Sequence, residues 1–82
     1  FTLSAEQGNA SAQSFLGYMS VLGYGVIKDN VYAHMWWNIA ASSGTDGASK
    51  NRDLIAKKMT PTQIEKAQDL ARECVRKKYK GC

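Results

Sequence analysis

The chain has 82 residues, 44% of them apolar, and a formal net charge of +4, which bounds it to one small domain. A domain of this length buries only about 60 to 65% of the surface its unfolded chain exposes, so support from a disulfide, a ligand or a partner is expected. No apolar run approaches the roughly 20 residues of a membrane span, so the pattern reads as a soluble globular chain without a transmembrane segment.

The first predicted element is Phe1 to Gln7, read as the last two turns of a helix. Its pattern through Gly8 (aromatic, polar, apolar, small, alanine, polar, polar, glycine) recurs 36 positions later from Trp37 to Gly44, and the match continues from Ala12 to Ala48. A period in this range marks stacked helical hairpins, in which no unit covers its own apolar face. The start at Phe1 rather than methionine suggests that a leader or tag has been removed.

The first complete helix is expected from Ala10 to about Leu22, with Ala12, Phe15, Leu16 and Met19 on one face and Gly23 and Gly25 allowing a sharp reversal. A second helix runs from about Asn30 to Ser43, capped by Asp29 or Asn30 and stopped by Gly44. It is apolar at Ala33, Trp36 and Ala40 and again at Met35 and Ile39, so it needs neighbours on two sides. Asp46 is the expected cap of a third helix, Gly47 to Lys58, with Ala48, Asn51, Leu54 and Ile55 facing inward. In Thr60-Pro61-Thr62-Gln63, Thr60 is the N-cap, Pro61 the first helical residue and Gln63 the closing member of a capping box. The fourth helix that follows carries Ile64, Ala67, Leu70, Ala71, Cys74 and Val75 on its apolar stripe. The core expected from these stripes contains Leu16, Ala33, Trp36, Ala40, Ile55 and Leu70. No segment alternates with period two, so the fold class is all-α: an α/α helical-hairpin solenoid of about two units, with four main helices and an N-terminal helix remnant.

Arg72, Arg76, Lys77, Lys78 and Lys80 concentrate positive charge in the last eleven residues. They suit the negative end of a helix dipole and a solvated final turn, or attach the chain to an anionic polymer or membrane surface. No stacking platform or nucleic-acid motif accompanies them, so a nucleic-acid partner is not expected.

Ala5-x-x-Gly8-x-x-x-Ala12-x-x-x-Leu16-Gly17, followed by Gly23-x-Gly25-Val26-x-x-Asp29-x-x-x-Ala33-x-x-Trp36-x-x-x-Ala40-Ala41-x-x-Gly44, resembles a full Sel-one-like repeat, a relative of the tetratricopeptide repeat. About 40 residues carry the likeness. Ser20 departs from it where the family usually has tyrosine, which leaves a smaller contact between the two helices. The resemblance implies one domain over 1–82, with a preceding helix remnant at 1–7, a full repeat at 8–44 and a divergent capping unit at 45–82. Fewer than three units is marginal for such arrays, and a homodimer continuing the stack through the Phe1 end is a further expectation.

Cys74 and Cys82 fall at positions that resemble the cysteine-rich subfamily of these repeats, in which a disulfide staples adjacent helices of secreted or periplasmic proteins. That likeness implies a structural bridge; a reduced buried pair and a redox or metal role remain alternatives. An unbroken fourth helix to Lys80 would hold the sulfurs about 12 Å apart, so the bridge requires the helix to end or bend near Lys77 to Tyr79.

Some members of the family are described as binding or slowly cleaving β-lactams, but Ser-x-x-Lys is absent and His34 has no obvious serine or cysteine partner. His34 reads as an exposed or partly packed helical residue. No catalytic residue, metal ligand or cofactor is therefore expected. Trp36 matches the family's packing position, while Trp37 and Tyr18 are open between core and surface. In such arrays the first helix of each unit lines the concave face, which implies a protein or peptide contact surface at Gln13, Ser14, Tyr18 and Asn51. The expected function is a non-catalytic protein-interaction module of a secreted or periplasmic bacterial protein.

Overall fold

The computed structural model describes residues 8–23 and 29–82. These form α1 (Ala10–Leu22), α2 (Asn30–Ser42), α3 (Ala48–Ala56) and α4 (Pro61–Arg76), and no strand occurs among the described residues. The predicted remnant at Phe1 to Gln7, and with it the dimer contact through Phe1, lies outside them.

Three of the four helices, α1, α2 and α4, begin where a side-chain acceptor meets the orphaned amides of the first turn. Asn9 accepts from the Ala12 N–H at 2.9 Å, and Asp29 accepts from the Val31 and Tyr32 N–H groups at 2.8 and 3.3 Å. At α4 the Thr60 hydroxyl accepts from the Gln63 N–H while the Gln63 side chain accepts from the Thr60 N–H. The expected capping box is therefore present. The third start differs from expectation: the cap is Gly47, at φ +80° with no side-chain hydrogen bond, and α3 is shorter than Gly47 to Lys58. The left-handed conformation turns the chain without help from the Asp46 carboxylate. At the end of α1, Gly23 takes φ +78° and its N–H closes on the Met19 carbonyl at 2.7 Å.

Helix α2 is the centre of the molecule and packs against α1, α3 and α4. Its two apolar faces build two halves of the core. Met35, Trp36 and Ile39 join Ala12 and Leu16 of α1 with Ala71 and Cys74 of α4. Ala33, Trp37 and Ala40 join Ala48 and Ile55 of α3 with Met59 and Ala67. Leu16, Ala33, Trp36, Ala40 and Ile55 are buried as expected, and Leu70 is half-buried against the first cluster. Phe15, Leu54 and Val75 depart from their predicted inward stripes and are exposed, Leu54 by 50%. A helical period places residues on one side of a helix; the rotation of that side toward its neighbours depends on where the neighbours touch.

Helix α4 ends at Arg76, and the chain then turns back through Lys78 and Tyr79, at φ +57° and +68°. The Tyr79 N–H donates to the Cys74 carbonyl at 2.8 Å. This reversal brings Cys82 beside Cys74, with 5.8 Å between their Cα atoms, and the two are disulfide-bonded. The break that the bridge required after Arg76 is present.

Candidate functional site

A groove of about 460 Å³ opens between α1 and α3, lined by Tyr18, Val21, Trp37, Asn51, Leu54, Ile55, Lys57 and Lys58. Its geometry starts from a missing side chain. Gly17 lets the Trp37 indole lie directly on α1: a Cβ at Gly17 would stand 2.6 Å from Trp37 Nε1. The indole N–H donates to the Ser14 carbonyl at 3.0 Å, which satisfies its only polar group in the interior. The Tyr18 ring then stands edge-on to the indole, with centroids 5.3 Å apart and planes at 83°. The Tyr18 hydroxyl accepts a hydrogen bond from Asn51 Nδ2 at 2.7 Å, which links α1 to α3. Leu54 and Ile55 form the α3 side, and Lys57 and Lys58 are exposed at its C-terminal end.

Of the four residues expected to contact a partner, Tyr18 and Asn51 meet at this groove. Gln13 and Ser14 do not face outward; they are 0% and 8% exposed. Both lie within about one turn of Gly17, where Trp37 packs on α1 and bonds to the Ser14 carbonyl. Trp37, Leu54, Lys57 and Lys58 were missed as groove residues. The adjacent Trp36 and Trp37 carried a usable signal, because consecutive helical residues point about 100° apart and a helix buried on two faces can take both indoles.

Gly17→Ala is expected to lower stability by about 1 to 3 kcal/mol, because the added methyl must displace a buried indole. Thermal unfolding followed by circular dichroism should show the loss, together with a changed indole fluorescence.

No protein-family model matches this chain, and no curated protein or solved structure matches it. The functional reading therefore follows from the groove and its surroundings.

His34 is buried, contrary to the expectation of an exposed or partly packed residue, and its Nδ1 has no hydrogen-bond partner among the described residues. Burial pushes its pKa below the usual 6.5, the Arg52 charge adds to the effect, and Asp53 opposes it. The folded protein thus holds a neutral imidazole that the unfolded chain protonates more readily. Stability from the neutral form is complete above about pH 6.5 and is lost as pH falls from there toward the lower folded value. His34→Gln is expected to flatten this part of the melting-temperature profile between pH 7 and 5, measured against the wild-type chain. Among the described residues, no group of three or more His, Cys, Asp or Glu side chains is placed to hold a metal ion.

The basic tail is less available than its composition suggests. Arg72 pairs with Asp69 and Arg76 with Glu73, each one turn along α4. The hydrogen bond from Arg76 holds the Glu73 carboxyl below its ordinary range. No helix among the described residues is long and apolar enough to cross a membrane.

Proposed function

We propose that this chain is a non-catalytic interaction module of the Sel-one-like, tetratricopeptide-related type, binding a peptide or protein partner in the groove between α1 and α3. The observation that carries the reading is the solvent-open, largely apolar surface formed by Tyr18, Trp37, Leu54 and Ile55, with hydrogen-bonding capacity at Tyr18 and Asn51. A concave apolar surface with a few directed polar groups is what side-chain recognition uses. The packing of α2 against the other three helices, as the second helix of one hairpin meets both helices of the next, supports the two-unit solenoid with a full repeat at 8–44 and a capping unit at 45–82. The Cys74–Cys82 bond supports residence in an oxidising, extracytoplasmic setting, secreted or periplasmic.

The experiment is capture of a partner from the native extracytoplasmic fraction, with three chains compared: the wild type, Tyr18→Ala/Asn51→Ala, and Lys77→Gln/Lys78→Gln/Lys80→Gln. Groove binding predicts that the partner is lost with the first variant and retained with the second, both being folded by circular dichroism. The reverse pattern would transfer the activity to the basic tail and to an anionic surface. The ion pairs of Arg72 and Arg76 weigh against that second reading.

A further inference from the structure

We infer that the groove takes a peptide segment in which one large apolar side chain is flanked by acidic residues, an inference that rests on the groove reading above. The first part follows from size and lining. About 460 Å³ with Val21, Trp37, Leu54 and Ile55 in its lining accommodates one large apolar side chain, an apolar contact that a polymer charged along its whole length does not supply.

The second part follows from charge. Lys57 and Lys58 line the groove, and no carboxylate is among its described lining residues. The nearest acid in sequence on α3, Asp53, is bonded to Arg52 at 3.2 Å. From 47 to 58 the chain carries Lys50, Arg52, Lys57 and Lys58 against Asp53 alone, four positive charges and one negative. A positive rim beside an apolar floor favours a partner with carboxylates beside its anchor and disfavours one with lysines there. The same field argues against a second copy of this chain as the occupant, because each copy is itself formally +4.

The test is a library of seven-residue peptides with a fixed central tryptophan and randomised flanks, selected on the full chain and sequenced. Asp and Glu are expected at least about threefold enriched in the positions next to the tryptophan, the size of effect that two exposed charge contacts supply. Lys57→Glu/Lys58→Glu should invert the preference toward Lys and Arg; both positions are exposed, and circular dichroism verifies the fold. Selected peptides without acidic enrichment, or an enrichment that the charge reversal leaves unchanged, would overturn the inference and leave the groove reading standing. Failure to select any peptide would overturn the inference, while the groove reading is overturned by the capture experiment if the Tyr18→Ala/Asn51→Ala chain retains the partner. Flotation of the chain with phosphatidylglycerol vesicles, or self-association in sedimentation, would also overturn the inference if the charge reversal abolished it.

Discussion

Trp37→Ala is expected to remove a large share of the stability of this domain. The side chain is 4% exposed, packs with Ala33, Ala40, Ala48 and Ile55, and donates to the Ser14 carbonyl. Truncating a buried tryptophan costs about 3 to 5 kcal/mol, whereas about 4 to 12 kcal/mol is the whole stability expected at this length. A fall in melting temperature of more than about 12 °C follows for a domain of this size. Trp37→Phe should cost less, since it keeps a ring against Tyr18 and Gly17 and loses the indole N–H. Leu54→Ala is the contrasting case: its side chain is exposed, so its melting temperature should stay within a few degrees while peptide selection weakens. If Trp37→Ala melted like the wild type, the indole could not be the floor that holds α1 and α2 together.

Opening the Cys74–Cys82 bond is the second large effect. The bond closes a loop with a sequence separation of 8, worth roughly 2 to 3 kcal/mol in the chain-entropy account, and so about 10 to 20 °C in melting temperature. The consequence extends beyond the tail. Cys74 is buried in the first core cluster, and Tyr79 and Cys82 pack against it. The Tyr79 ring also lies beside Gly8, ahead of α1. Reduction should therefore loosen both ends of the described chain and free Lys78 and Tyr79 from the left-handed conformations that the tether holds. Unfolding with and without dithiothreitol, with reduction verified by alkylation, measures this. The Cys74→Ala/Cys82→Ala chain serves as the permanently open form, and equal melting temperatures for open and closed chains would show that α4 and its return turn are held by packing alone.

The helices were legible because their causes are local. Asp29 and the Thr60–Gln63 pair satisfy amides within three residues of themselves, and the doubled apolar pattern of α2 required neighbours on two faces before any neighbour was known. The break near Lys77 to Tyr79 was legible only on condition of the bridge that the resemblance implied, since two half-cystines eight positions apart cannot meet on a straight helix. Asp46 was misread for the complementary reason: a capping residue type signals a helix start, but Gly47 had already turned the chain through a conformation that only the backbone decides.

Sequence alone thus determined the all-helical class, the element order, the caps at Asp29 and Thr60, the centrality of α2 and the residues Leu16, Ala33, Trp36, Ala40 and Ile55 of the core, all consequences of periodicity and short-range hydrogen bonding. Tertiary structure alone decided the helix rotations. It turned Gln13 and Ser14 inward and Leu54 outward, buried His34, and seated Trp37 on Gly17. That last contact depends on a missing Cβ at Gly17, which leaves the Trp37 indole room to lie against α1 and to line the groove between α1 and α3.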